Sequence, residues 1–241
     1  MKKLAALLCV LFLYVPLFSI NFERPEQFIE FDISCLGSRG TERNTTLYSV
    51  EYGVNGKKYD GILGIQFCPD VFDTTFALDF YPSVSTWKLY SSTISLGGGL
   101  VYHFQNFFDV GCEHDAFAVL DYKFKTKKNF LLSVVNGIGI KAAKVYELAS
   151  EVPYIWNKNV IVALKLEKLF ENGIEIFAKG SSFTMYRYAL FISPRYAFGA
   201  AYNFDSGLRF GGEFEIGFSD QYTTGPYVNS IMFRLSTKYT F

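Results

Sequence analysis

The chain has 241 residues, of which 50% are hydrophobic and 19% aromatic, and its 23 basic and 23 acidic side chains give a formal net charge of zero. This balance argues against a nucleic-acid-binding protein, because no basic excess is present to neutralise phosphates. The apolar content excludes a disordered chain, and the length fits a single β-barrel. The 26 Phe and 17 Tyr residues exceed what an ordinary soluble core needs, so we expect the protein surface to carry aromatic side chains that are shielded from water.

The N-terminal segment has the features of a secretory signal peptide. Two lysines precede an apolar run over residues 4–18, and a polar stretch begins after Ser19. A basic head, an apolar middle and a small residue at the end are typical of such a peptide. A membrane anchor is the alternative, but the run contains Pro16 and is shorter than the roughly 20 residues that a spanning helix needs. We therefore expect residues 1–19 to be a cleaved signal peptide that exports the domain of residues 20–241.

The mature sequence consists of segments of about ten residues in which apolar side chains alternate with polar or small ones. Residues 208–218 show this most clearly, with Phe210 and Phe214 on one face and Arg209 and Glu213 on the other. Such alternation is typical of transmembrane β-strands, with one face toward lipid and the other toward the lumen. The downstream sequence has no second apolar stretch of helical length, so a chain that enters a membrane must cross it as a closed barrel of strands.

Turn signals between these segments support the strand assignment. The Asn-Gly pair at 55–56 predicts a two-residue hairpin that pairs Val54 with Lys57. Residues 171–173 and 205–207 each end in Gly and predict three-residue hairpins. All three turns bring apolar faces of adjacent strands together, whereas a slip of one residue would separate them.

The order of short turns and longer polar stretches is that of an up-and-down barrel. The predicted fold is all-β, an antiparallel up-and-down transmembrane β-barrel. A secreted soluble barrel with an apolar interior is the competing fold, but small residues among the charges and bulky aromatics on the apolar face favour the membrane barrel. Ten strands and then eight remain alternatives, because residues 82–91 occupy a place where a short turn is expected. The predicted twelve strands are at 28–36, 47–54, 57–68, 74–81, 92–104, 116–124, 130–142, 159–169, 174–181, 190–204, 208–218 and 229–241.

The C-terminal segment has hydrophobic residues at alternate positions and ends in Phe. This resembles the terminal signature of bacterial outer-membrane β-barrel proteins of the small to mid-sized class. The resemblance implies location in the bacterial outer membrane and recognition by the barrel assembly machinery, which would capture an amphipathic edge strand by strand addition. The residues that carry this assembly signal are Phe233, Leu235, Tyr239 and Phe241.

The polar faces of the predicted strands carry both acids and bases. Acids dominate the early strands, whereas acids and bases mix in the later ones. If the last strand closes on the first, Arg234 and Lys238 face Glu30 and Asp32 across the seam. The predicted lumen-lining residues are Glu30, Asp32, Glu51, Asp79, Asp121, Lys123, Lys165, Glu167, Glu175, Lys179, Arg195, Arg209, Glu213, Glu215, Arg234 and Lys238.

A barrel of twelve strands is roughly half as wide again as one of eight, whose interior is just filled by side chains. We therefore expect a narrow channel, a porin that transports small polar solutes through a mixed-charge lumen. The alternative is a closed barrel with a structural or surface-adhesive role, in which the same charges form an ion-pair network. The expected partners are outer-membrane lipids, the assembly machinery and the solutes; no nucleic acid and no cofactor are expected.

An integral outer-membrane hydrolase is a less favoured hypothesis. It rests on His103, which has lumen parity, and on His114, which lies in a predicted long loop between Glu113 and Asp115. A histidine beside carboxylates can act as a general base. No Ser nucleophile can be singled out and no close pair of His or Cys suggests a metal site, so no catalytic, cofactor-binding or metal residues are predicted.

Three cysteines remain after cleavage of the signal peptide: Cys35, Cys68 and Cys112. The exported compartment permits disulfides, and Cys68 with Cys112 is the more plausible pair. Thiols that behave as small hydrophobic groups are the slightly preferred alternative.

Overall fold

The computed structural model describes residues 26–38, 44–56, 58–69, 73–107, 111–146, 154–182, 194–218 and 228–241. The predicted signal peptide lies outside the described residues. Among the residues that are described, no helix is long and apolar enough to cross a bilayer.

The described residues form twelve antiparallel β-strands that close into a barrel. Each strand pairs with its neighbours in the sequence, and the last strand pairs with the first. The predicted fold class and strand number are therefore confirmed. The strands are β1 Glu26–Ser38, β2 Thr45–Asn55, β3 Tyr59–Cys68, β4 Asp73–Leu89, β5 Ser92–Phe107, β6 Gly111–Thr126, β7 Phe130–Val145, β8 Ile155–Leu169, β9 Ile174–Ser181, β10 Arg195–Asn203, β11 Leu208–Phe218 and β12 Val228–Thr240.

Successive side chains of each strand point to opposite faces of the barrel wall. In β1, Phe31 and Ile33 are 56% and 55% exposed, whereas Asp32 and Ser34 are 4% and 2% exposed. Because the sheet is closed, the buried polar face points into the barrel and the apolar face points outward. This is the opposite of a soluble barrel with an apolar interior.

The two predicted glycine hairpins are confirmed. Gly173 and Gly207 both have a φ of +83°, and their amides donate to the carbonyl oxygens of Phe170 and Phe204 over 3.1 Å. Glycine reaches this left-handed conformation without steric cost.

The predicted Asn-Gly hairpin has the correct faces but the wrong register. Val54 lies opposite Gly61 rather than Lys57. The Gly56 amide donates to the Tyr59 carbonyl oxygen over 2.9 Å and also contacts a carboxylate oxygen of Asp60 at 3.2 Å. These bonds stabilise a longer turn. The shift is an even number of residues, so each side chain keeps its predicted face.

Residues 82–91, where a short turn is expected, form the last part of β4 and a two-residue turn at Tyr90 and Ser91. The pairing of β4 with β5 is irregular between Ser83 and Ser85. Such an irregularity tolerates Pro82, which cannot donate to the strand ladder. The strand therefore continues through the proline, and the alternatives of ten or eight strands are wrong.

The long loop predicted between the strands at 92–104 and 116–124 is wrong at both of its ends. β5 continues to Phe107 and β6 begins at Gly111, so His114 lies in a strand. The polar residues of this segment have the composition of a loop because several of them face the barrel interior.

All three cysteines of the described residues carry free thiols, as the slightly preferred alternative predicts, and the disulfide considered between Cys68 and Cys112 is not formed. Cys68 lies on the inward face of β3 and Cys112 on the outward face of β6. A disulfide cannot join side chains that point to opposite sides of a barrel wall. Cys35 is exposed on the outer surface, whereas Cys68 and Cys112 are buried.

Candidate functional site

The predicted lumen-lining residues all lie in strands, and each is buried or half-buried. The strand register places them on the same face as the fully buried polar residues, and therefore inside the barrel. The acids and bases are not evenly mixed around the interior, because the strands contribute them in different proportions.

One side of the interior is acidic. Between the longer connections and the level of Pro82, all described charged residues of β1–β4 that face the interior are carboxylates. Lys88 follows the irregularity of β4 and lies at the exposed end of that strand. Asp32 is 4% exposed, and its carboxylate accepts a hydrogen bond of 3.1 Å from the Ser49 hydroxyl. The inward carboxylates of this side are Glu30, Asp32, Glu51, Asp60, Asp73 and Asp79.

The opposite side is predominantly basic. Strands β7–β12 present more bases than acids to the interior, and each acid lies near a base. The inward bases are Lys141, Lys165, Lys179, Arg195, Arg209, Arg234 and Lys238, and the inward acids are Glu167, Glu175, Glu213 and Glu215.

Ion pairs fix several of these groups. Arg209 donates to both carboxylate oxygens of Glu175, over 3.0 Å from Nε and 2.9 Å from Nη2, and its Nη1 lies 3.7 Å from Glu30. A bidentate contact of this kind holds the planar guanidinium in one orientation. Arg195 pairs with Glu215 over 2.9 Å, and both side chains are 7% exposed.

The barrel seam joins acids of β1 to bases of β12. Glu30 lies directly opposite Lys238. Arg234 lies opposite Ser34 rather than Asp32, and its Nη1 is 3.7 Å from Glu213. Glu30 and Lys238 are thus direct neighbours across the seam, whereas Asp32 and Arg234 are diagonal neighbours.

A second network fills the interior between β4 and β7. His103 Nε2 lies 3.0 Å from Asp79, and Lys141 Nζ lies 2.6 Å from Glu113 and 3.7 Å from Asp115. Glu113 and Asp115 lie in a predicted loop, so their inward position does not follow from the predicted strands. The period-two alternation, had it been followed through residues 105–115, would have identified it.

Apolar side chains occupy the interior beside this network. Val101, Phe117, Val119 and Ile161 form a buried cluster. Among the interior ion pairs of the described residues, the most accessible side chains are those of Lys165, Lys179 and Lys123, which are 38%, 37% and 33% exposed. Lys165 and Lys179 lie on β8 and β9, whereas Lys123 lies on β6, the strand that also carries Phe117 and Val119. The interior therefore contains both tightly packed and water-accessible groups.

The histidine and carboxylates of residues 113–115 do not form a catalytic constellation. His114 faces outward, and its Nδ1 is 2.9 Å from the Tyr102 hydroxyl. Its neighbours Glu113 and Asp115 face inward toward Lys141. The part of the chain that the structure describes holds no cluster of three or more His, Cys, Asp or Glu side chains suited to a metal ion.

The closed twelve-stranded barrel, with charged side chains inside and apolar ones outside, has the fold of bacterial outer-membrane β-barrel proteins. Solved structures with this fold include the NanC porin, with a TM-score of 0.58 and 11% identity over 88% of this chain and 100% of that chain. Outer membrane phospholipase A from Escherichia coli has a TM-score of 0.53 and 10% identity over 90% of this chain and 93% of that chain. The KdgM porin has a TM-score of 0.52 and 11% identity over 89% of this chain and 99% of that chain. No protein-family model and no curated protein matches the chain.

Proposed function

We propose that the protein is a narrow outer-membrane channel that passes small polar solutes through a mixed-charge lumen. The observation that carries this proposal is the separation of charge inside the barrel. Carboxylates on β1–β4 face a predominantly basic wall formed by β7–β12. Fixed charges of opposite sign across a pore create a transverse field, which orients polar solutes and selects among them.

The water-accessible lysines of the interior line the path for these solutes. Lys165 and Lys179 are the most accessible bases of the interior ion pairs. Their Nζ atoms lie 5.6 Å and 4.9 Å from the centroid of the inward-facing Phe177 ring. The apolar cluster around Val101 fills part of the cross-section, which accounts for a narrow path. Two of the similar structures are porins, in keeping with this proposal.

The location and partners belong to the same proposal. An exported chain with this outer surface contacts outer-membrane lipids along its apolar face. The assembly-signal residues form an exposed row on β12 and at the C-terminus, as recognition by the barrel assembly machinery requires. Phe233, Leu235, Tyr239 and Phe241 are 49%, 55%, 50% and 59% exposed.

Conductance across a planar lipid bilayer tests the channel. We expect steady ohmic steps from the purified protein. Replacing Lys165 and Lys179 together with Gln removes two positive charges from the path, so the reversal potential in a salt gradient shifts toward cation selectivity. Lys168→Gln is the matched control, because Lys168 faces outward and its loss leaves selectivity unchanged. A folded protein that gives no steps contradicts the proposal.

A closed barrel with a structural or adhesive role is the second candidate. The buried apolar cluster and the deeply buried pair of Lys141 and Glu113 favour it, because both fill interior volume that a wide pore would leave to water. Electrical silence of the folded protein is the result that supports this candidate.

A further inference from the structure

Of the Lys, Arg, His, Asp and Glu side chains of the described strands, those that face outward are all basic, and they lie on neighbouring strands. His114 lies on β6, Lys144 on β7, and Lys158 and Lys168 on β8. No Asp or Glu of the described strands shares the outward face. A charge on a lipid-facing surface is costly unless it lies at an interface or has a partner, so this distribution calls for a physical explanation.

The spacing along β8 places its two lysines at opposite membrane interfaces. Lys158 and Lys168 flank an outward apolar row formed by Val160, Val162, Leu164 and Leu166, which is 37–52% exposed. Ten residues extend roughly 33 Å along a strand, and a tilt of about 40° reduces this to a height of about 25 Å. That height equals the apolar band of a transmembrane barrel. Lys158 lies toward the longer connection and therefore at the outer interface.

Aromatic side chains surround the basic groups at this outer end. Lys144 Nζ lies 5.8 Å from the centroid of the Tyr154 ring, and the His114 ring lies 6.0 Å from the same ring. Trp156, which is 63% exposed, is the outward-facing residue of β8 that precedes Lys158. Amphipathic rings with cations among them are typical of the lipid headgroup region.

We propose that the outer-rim basic patch, defined as His114, Lys144 and Lys158, binds the phosphate of an anionic lipid in the outer leaflet. This proposal rests on the membrane location given under the proposed function. Its two lysines make the patch cationic, and it lies at the outer end of the barrel with no outward carboxylate in the described strands, so a lipid phosphate is its complementary partner. Lysine ammonium groups bind phosphate as point charges, and each contributes measurably to attraction toward anionic lipid.

Lys168 offers a matched control at the other interface. Its Nζ donates to the backbone carbonyl of Lys128 and lies 5.5 Å from the centroid of the Phe170 ring. The ammonium group is therefore already engaged by the protein. Replacing it with Gln removes an outward positive charge without altering the outer-rim basic patch.

Native mass spectrometry of the detergent-solubilised barrel tests the proposal with dioleoyl phosphatidic acid as the probe. We expect the double variant Lys144→Gln/Lys158→Gln to bind this lipid roughly 20-fold more weakly than the wild-type protein. Lys168→Gln should bind it as the wild type does. Dioleoylglycerol, which lacks the phosphate, and inorganic phosphate, which lacks the acyl chains, should both bind far more weakly.

Equal binding by the double variant and the wild type overturns the proposal, as does an equal loss in Lys168→Gln. Binding of inorganic phosphate as tight as that of the lipid overturns the assignment to a lipid. Heat-modifiable gel mobility verifies that each variant is folded. Because the patch faces outward, channel conductance should be the same in the double variant, so a failed lipid result is distinguishable from a failed channel proposal.

Discussion

Lys141 and Glu113 form an ion pair of 2.6 Å inside the barrel, where their side chains are only 6% and 4% exposed. The pair joins β7 to β6, and Asp115 lies 3.7 Å from the same ammonium group. Two carboxylates thus depend on one lysine in an interior that is shielded from bulk water on this side.

Replacement of Lys141 by Met should therefore destabilise the folded barrel strongly. Loss of one partner of a buried ion pair leaves an uncompensated charge and costs about 3–5 kcal/mol. Urea unfolding in lipid vesicles, followed by tryptophan fluorescence, measures the change. Lys168→Met, at an outward and half-exposed position, should change the free energy of unfolding by less than about 1 kcal/mol. Equal effects of the two substitutions would show that the Lys141 pair has no special role.

Gly173→Ala should destabilise the β8–β9 hairpin. The φ of Gly173 is +83°, and an added Cβ would lie 2.5 Å from the carbonyl oxygen of Asn203. A non-glycine residue in this conformation costs about 1–2 kcal/mol before the steric contact is counted. Gly61→Ala is the control, because the nearest atom to its Cβ would lie 3.5 Å away. The same unfolding experiment should give a larger loss for Gly173→Ala, and a neutral result would contradict the assigned turn.

Phe241→Ala should lower the fraction of the protein that reaches the folded state in the outer membrane. Phe241 is 59% exposed, so its ring is available for recognition during assembly. Thr240→Ala alters the adjacent residue on the other face and should have little effect. Heat-modifiable mobility of the membrane fraction measures folding in cells. If Phe241→Ala assembles as well as the wild type in cells, the predicted assembly signal is wrong.

The sequence predicts the fold well because one face of each strand is apolar and the other polar. This alternation indicates side-chain direction without knowledge of any partner. The strand number is less well determined, because Pro82 and the residues after it do not read as part of a strand. Register is harder to predict, since Val54 keeps its face whether it pairs with Lys57 or Gly61. Residues 105–115 have the composition of a loop, because polar residues that face the interior resemble polar residues that face solvent.

The contacts of the interior network depend on the register between strands. The sequence alone therefore does not predict which acid contacts which base. The individual acids and bases were recognised from their parity. The contact of Arg209 on β11 with Glu175 on β9 reaches across β10, and no spacing in the sequence indicates it. Similarly, which interior groups are packed and which are accessible to water depends on side-chain size and reach around the closed barrel.

The central claim is that alternate residues face lipid and a charged interior, and a spin-label scan of β10 tests it directly. Single cysteines at residues 196–203, in a protein whose native cysteines are replaced by Ser, would carry the label in lipid vesicles. Collision with oxygen, which concentrates in the bilayer, should be highest at the outward positions Tyr196, Phe198, Ala200 and Tyr202. Maxima at the intervening positions, or the absence of a two-residue period, would contradict the account.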